Sequence, residues 1–313
     1  MLGEMSGTIL IWPNAATRSR WSSMMSQNDN FLYGRLYDIT DKKAKKWLHE
    51  QSQTKDIKWI MENKKFQQFG NDFAKWQNDF SGTMIELQKD EKLGVNFTHA
   101  KAFVGDKRWA IQSANLTHSS LAVNVEHYVL GTDESVRQTL LQYWEKDRKK
   151  VGGTPLSSTD EYNPSLHQAL STPLSPHVLV CPINCRQIIE YMIEHAQESI
   201  WIQHQYLTDK KMTRLLQKKT DLDLKMQFND FPEMAVVQSL FGRDVVHLQA
   251  KPYIHTKLII IDHRYMIIGS MNLSSNALDR NRELGIIITD PQNIQDVEKE
   301  FLRSYRDYNL FSL

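Results

Sequence analysis

The chain carries one short pattern twice. His99-Ala-Lys101 is followed by Asp106, Ser113 and Asn115, and His255-Thr-Lys257 by Asp262, Ser270 and Asn272. In both copies the Asp lies five residues beyond the Lys, and an Asn-x-Glu ends eleven residues after the motif Asn, at Glu126 and Glu283. A single His-x-Lys is an ordinary half-exposed strand pair. Two copies with matched downstream partners imply two related halves, each supplying half of one site.

The second copy runs Tyr253-Ile-His-Thr-Lys-Leu-Ile-Ile-Ile-Asp262, an apolar, β-branched stretch that predicts a buried strand. Residues i and i+2 of a strand share a face, so His255 and Lys257 project together, as do His99 and Lys101. Asp262 to Tyr265 reads as a polar turn, with Met266-Ile-Ile268 returning and Gly269-Ser-Met-Asn272 closing the hairpin beside the His and Lys. Two imidazoles, two ammonium groups and two carboxamides in one pocket suit phosphoryl transfer to a histidine. One imidazole attacks phosphorus, the other protonates the leaving oxygen, and Lys and Asn hold the charged oxygens. No His/Cys/Asp cluster has zinc spacing, so neither a metal nor another cofactor is expected.

The repeat extends beyond the motifs. Leu10-Ile-Trp-Pro13 matches Leu179-Val-Cys-Pro182, and Thr40-Asp-Lys-Lys43 matches Thr208-Asp-Lys-Lys211, each opening a helix with Thr or Asp as cap. Ile57-Lys-Trp-Ile60 matches Leu224-Lys-Met-Gln227, and Leu87-Gln88 matches Leu248-Gln249. Each half therefore reads as strand, helix, strand, helix, strand and then the motif hairpin. The fold class is α/β: two similar halves, each a central mixed sheet flanked by helices, packed with pseudo-two-fold symmetry around one active site. The halves are assigned to 1–146 and 177–313, joined by a Ser/Thr/Pro-rich linker over 147–176.

The offset between matched positions shrinks from 168 at Thr40/Thr208 through 161 at Leu87/Leu248 to 156 at His99/His255. The first half thus carries extra residues, placed near Lys65–Gly82 and Lys89–Phe97, the latter bordering the site. Phe66, Phe69, Phe73, Trp76 and Phe80 fall on one helical face. They are read as docking on the sheet, with a membrane-touching lid as the alternative and base stacking, supported by Lys64, Lys65 and Lys75, as a third reading.

At 313 residues the chain suits two halves with a core each. Its apolar (41%) and charged (24%) content is that of an ordinary soluble protein, and the net charge of +1 gives no global basic field for nonspecific nucleic-acid binding. No apolar run is long enough for a transmembrane helix and no signal peptide is recognised; localisation stays open, a removed leader or anchor included. Cys181 and Cys185, four apart at a strand-to-helix junction, are expected to be small core or near-surface residues rather than a disulfide.

The two motifs resemble the paired HKD signatures of the phospholipase D superfamily, HxKx4D followed by GSxN. That family includes phospholipases, cardiolipin and phosphatidylserine synthases, endonucleases and tyrosyl-DNA phosphodiesterases; the last lack the Asp. The second copy matches throughout. The first has Gln112 where Gly is expected, and a hairpin one residue shorter. The resemblance implies a phosphohistidine enzyme with His99 as nucleophile and His255 as general acid. It further implies that Glu126 and Glu283 fix the imidazole tautomers, without saying which serves which, and that Asp106 and Asp262 are structural. The stretch from Asn272 to Glu283 is similar to the endonuclease-like branch and a broad bacterial group. The leading expectation is a metal-independent phosphodiesterase acting on nucleic acid. Phospholipid hydrolysis or phosphatidyl transfer, with peripheral membrane contact, is the alternative, and an inactive binding scaffold a distant third. With both motifs on one chain, a monomer suffices for the site.

Overall fold

The computed structural model describes residues 2–12, 16–62, 83–87, 95, 98–150 and 173–306. The aromatic stretch Phe66–Phe80, most of both insertions and the Ser/Thr/Pro-rich segment lie outside these residues.

The first half runs β1 (Thr8–Trp12), α1 (Thr17–Met25), β2 (Phe31–Leu36), α2 (Lys42–Ser52), β3 (Asp56–Glu62), β4 (Thr83–Leu87), β5 (Ala102–Gly105), β6 (Trp109–Gln112), α3 (His118–Ala122), β7 (Glu126–Gly131) and α4 (Glu134–Lys150). The second runs β8 (Val178–Cys181), α5 (Cys185–Glu194), β9 (Ser199–His204), α6 (Lys210–Gln217), β10 (Asp223–Asn229), α7 (Pro232–Phe241), β11 (Val246–Gln249), β12 (Lys257–Ile261), β13 (Tyr265–Gly269), α8 (Ser275–Asp279), β14 (Glu283–Ile288) and α9 (Pro291–Arg306). Among the described residues these strands form two seven-stranded sheets, ordered β1-β7-β6-β5-β2-β3-β4 and β8-β14-β13-β12-β9-β10-β11. The orders superpose strand for strand. In both, strands β2–β4 and β9–β11 are parallel, and the hairpin and its neighbours are antiparallel.

Each half is richer than the sequence order implied. Past the hairpin come a short helix and one more strand, which the Asn-x-Glu opens. The repeated Asn-Leu-(Thr/Ser) has a local cause: Thr117 and Ser274 cap α3 and α8, accepting from the Ser120 and Ala277 amides. Leu116 and Leu273 pair with Ile39 and Leu207, and their carbonyls accept from Thr40 and Thr208. Asp41 and Asp209, not the threonines before them, cap α2 and α6.

The strand Leu258-Ile-Ile-Ile261 is buried on both faces. Leu258 and Ile260 join Ile111, Val129, Ile268 and Ile286 in a core shared by both sheets with α4 and α9, while Ile259 and Ile261 pack into the second half's outer core. Helix α9 reaches that central core with Ile294, Val297, Phe301 and Tyr305, one face of a 3.6-residue period. Fully burying such side chains contributes about 1.5–3 kcal/mol each. Helix α4 runs into the segment read as a linker, where buried Asp147 sits between Arg35 (2.7 Å) and a two-pronged contact to Arg282 (2.9 and 3.0 Å). Cys181 and Cys185 are buried, as expected of core residues, but they are joined in a disulfide, with Cα atoms 5.1 Å apart. That corrects the unpaired reading.

Candidate active site

The motif residues sit at the mouths of equivalent strands. His99 and Lys101 precede β5; His255 precedes β12, and Lys257 begins it. Backbone pairing across the halves fixes both histidines. The Arg282 carbonyl accepts from the His99 and Ala100 amides (2.9 Å each), and Val125 exchanges bonds with the other motif, donating to Tyr253 (2.8 Å) and accepting from His255 (3.0 Å). Arg282 and Val125 each immediately precede a motif Glu, so each half delivers its carboxylate to the other half's histidine.

The side chains complete this exchange. His99 Nδ1 lies 3.0 Å from Glu283 Oε2, and His255 Nδ1 lies 2.7 Å from Glu126 Oε1. Ser113 Oγ and Ser270 Oγ donate to Glu126 and Glu283 of their own halves, 2.5 Å each, and accept the amides of His127 and Leu284. Lys101 and Lys257 are buried, each donating to the carbonyl of its own motif histidine. Asp106 accepts from the Asp29 and Asn30 amides, and Asp262 from those of Gln197, Glu198 and Ser199. The aspartates thus tie each hairpin turn to the chain entering β2 or β9.

Electrostatics follow from burial. Burial lowers His99 to about 4 against the opposing pull of Glu283, and it lowers His255 as well. Lys101 falls to about 7 and Lys257 to about 8, for the same reason and again against the nearby glutamates. For Glu126 burial pushes upward, but the charge and hydrogen bond of His255 and the charge of Lys257 hold it below the usual carboxylate range. Both histidines line one cleft of about 530 Å³ with Asn272, Glu283, Tyr37, Gln205, Tyr206, Phe231, Glu233 and Asn281. Asn115 is buried beside it rather than on its wall. The Oδ1 atoms of Asn115, Asn272 and Asn281 are buried without a hydrogen-bond partner. Among the described residues no group of three or more His, Cys, Asp or Glu is placed to hold a metal ion.

Comparison with known proteins decides the family. Residues 189–305 match the family model described as cardiolipin synthase, PLD-like domain. A phospholipase D of Rickettsia bellii is 31% identical over 156 residues, covering 46% of this chain and 73% of that protein. This chain belongs to the phospholipase D superfamily. The human mitochondrial cardiolipin hydrolase is 35% identical over 68 residues, covering 22% of this chain and 27% of that protein. The solved phosphatidylserine synthase of Haemophilus influenzae shares the fold with a TM-score of 0.68 at 16% identity, covering 95% of this chain and 86% of that one. The chain is a phospholipase D-like phosphodiesterase.

The atypical first copy has a physical explanation. In the second copy a Cβ on Gly269 would lie 2.6 Å from the Leu284 carbonyl oxygen and 2.6 Å from the Met271 sulfur, so only Gly fits. In the first copy the smaller Ala114 stands where Met271 does, so the sulfur that would crowd a side chain at position 112 is absent. Gln112 accepts from the Trp21 indole (3.0 Å) and donates to the Ala114 carbonyl (2.8 Å). The shorter hairpin closes with Gly105 N–H donating to Arg108 (2.9 Å), whereas the longer one turns through Asp262 and His263 with φ of 53° and 55°. Sequence reasoning missed the cleft walls Tyr37, Gln205, Tyr206, Phe231 and Glu233. The first three lie just past the carboxyl ends of β2 and β9, directly before the repeated Thr-Asp-Lys-Lys, and that position was the available signal.

Proposed function

We propose that this phosphodiesterase works through a phosphohistidine on His99, with phospholipid as substrate. The observation that carries the mechanism is the crossed pair of His–Glu contacts facing one cleft. With Nδ1 committed to Glu283, His99 attacks phosphorus through Nε2 as the bond to the leaving oxygen breaks. His255, its Nδ1 held by Glu126, gives its Nε2 proton to that oxygen. The same His255 then takes a proton from water, whose oxygen displaces His99 and breaks the P–N bond. Asn272, on the cleft wall, and the charges of the buried Lys101 and Lys257 stabilise the phosphoryl oxygens, while Asp106, Asp262, Ser113 and Ser270 fix the hairpins and carboxylates. Burial favours neutral His99, as a nucleophile requires.

Phospholipid displaces the nucleic acid favoured by the motif continuation because of the cleft walls. Among the described residues no arginine lines the cleft, and the one charged group beyond the motifs is Glu233. Among the described residues, no lysine or arginine beyond the motifs lines the cleft to meet the next phosphate of a nucleic-acid strand. Helix α7, which begins beside the cleft at Phe231 and Glu233, exposes Val236 and Leu240 (61% and 51%), an edge suited to a lipid surface. The phospholipase D and cardiolipin hydrolase names of the relatives support the same choice. Among the described residues no helix is long and apolar enough to cross a membrane. The test is a panel of phospholipid vesicles, single- and double-stranded DNA and RNA, each with EDTA. Vesicle turnover that persists in EDTA is expected. Cleavage of nucleic acid alone would overturn the substrate, and loss of activity in EDTA the mechanism.

A further inference from the structure

The crossed contacts between the halves continue for one more residue, on one side only. Glu126-His127 faces His255-Thr256 residue for residue: Glu126 Oε1 lies 2.7 Å from His255 Nδ1, and His127 Nδ1 lies 2.6 Å from Thr256 Oγ1. On the other side Glu283-Leu284 faces His99-Ala100. There Glu283 meets His99, while Leu284 and Ala100 carry no polar side-chain atom and belong to the central apolar core. His127 and Thr256, 2% and 0% exposed, are thus a buried polar pair at positions where the other half manages with an apolar one. Burying such groups costs free energy that their mutual bond only offsets, so packing alone does not account for them. Burial, against the pull of Glu126, lowers His127 to about 4, and above that pH its imidazole contributes a hydrogen bond rather than a charge. Its amide donates to Ser113 Oγ (3.0 Å), the hydroxyl that in turn donates to Glu126.

We propose that His127, acting through Thr256, is a positioning residue for the general acid His255. The inference rests on the phosphohistidine reading, in which His255 gives a proton in the first step and takes one in the second. A single contact at Nδ1 sets the tautomer but lets the imidazole pivot about that contact. A second bond, one residue along each chain, stops the Glu126 strand from sliding past the motif and carrying Nε2 off the leaving oxygen. The His99 motif gains its second tie through the backbone, where the Arg282 carbonyl accepts from both His99 and Ala100. In the His255 motif the Val125 carbonyl accepts from His255, and the side chains of His127 and Thr256 add the second tie. Losing them therefore loosens the acid and leaves the nucleophile in place.

The experiment compares wild type with His127→Leu, Thr256→Ala, the double variant and His127→Asn, each checked for folding by urea unfolding. The double variant copies the Leu284/Ala100 pair and so keeps a packed core, and Asn supplies an amide near the Nδ1 position. Two substrates in detergent micelles separate the roles: phosphatidylcholine, whose alkoxide needs a proton, and phosphatidyl-p-nitrophenol, whose phenolate leaves without one. Neither His127 nor Thr256 is among the described residues lining the cleft, so KM should hold. The expected kcat on phosphatidylcholine falls about ten-fold in each single variant and no further in the double, with part recovered in His127→Asn. The burst of p-nitrophenolate should stay within about twofold of the wild-type rate. An equal fall in burst and kcat, a fall in KM alone, additive single effects, or wild-type kcat in the double variant would overturn the positioning role. His255→Ala is the control, expected to abolish phosphatidylcholine turnover yet release one burst; loss of that burst would overturn His255 as the acid rather than His127 as its support. Should nucleic acid replace phospholipid as substrate, a dinucleotide and its p-nitrophenyl ester give the same two readouts.

Discussion

His99 and Glu283 meet across the boundary between the halves, Nδ1 to Oε2 at 3.0 Å, and His255 and Glu126 repeat the contact in the opposite sense. Neither half holds a complete His–Glu pair, so duplication and active-site assembly are one geometric fact. Backbone bonds from Arg282 and Val125 lock the exchange in place, because each precedes the Glu it helps deliver.

Replacing either carboxylate by an amide keeps the shape and removes the charge that orients and supports the imidazole. Glu283→Gln and Glu126→Gln should each lower kcat by about a hundredfold or more, the scale of positioned acid–base catalysis. Steady-state kinetics on folded variants check this. A change within about twofold for either variant would contradict the crossed assignment.

The pH profile carries a definite sign. His99, lowered to about 4 by burial, is neutral and nucleophilic above that pH. His255, lowered below 6.5 by burial, is protonated and able to act as acid only below its own depressed value. The kcat/KM profile should therefore be a bell whose maximum lies on the acid side of 6.5, failing on the acid limb as His99 protonates and on the alkaline limb as His255 loses its proton. An optimum above pH 8 would also find Lys101 and Lys257, lowered to about 7 and about 8, discharged, and would contradict this account.

Asp147 is the carboxylate shared by two buried guanidinium groups, Arg35 and Arg282. Asp147→Ala leaves both uncompensated and should cost about 3–5 kcal/mol in urea unfolding. Because the Arg282 carbonyl anchors His99, activity should fall before the chain unfolds. A loss below about 1 kcal/mol would show that water reaches these groups.

Gln112→Gly would restore the family pattern and yet destabilise. It strips the buried Trp21 indole of its acceptor, at a cost of about 1–3 kcal/mol, and opens space beside Ala114. Ala114→Met should recover part of that loss in a double-mutant cycle, since Met271 fills the matching space in the second half. Strictly additive effects would refute the exchange of Gln112 for Met271.

Much of this was legible in the sequence, for identifiable reasons. The motif spacing and the capped Thr-Asp-Lys-Lys repeat are local signals, and they placed His99, Lys101, His255 and Lys257 and the two mixed sheets. The crossing of Glu126 to His255 and Glu283 to His99 was not legible, because it depends on how one half packs against the other. Tyr206, Phe231 and Glu233 share no motif; only the ends of β9 and β10 bring them to one wall. The Cys181–Cys185 pairing turned on local geometry that spacing leaves open.

The central claim is a covalent phosphoryl adduct on His99. Acid hydrolyses the P–N bond of a phosphoramidate, so the direct measurement is alkaline quench of phospholipid turnover followed by peptide mass spectrometry, in wild type and His255→Ala. The account predicts the adduct on the His99 peptide, persisting in His255→Ala where water is no longer activated. An adduct on His255, or steady turnover by His99→Ala, would contradict it.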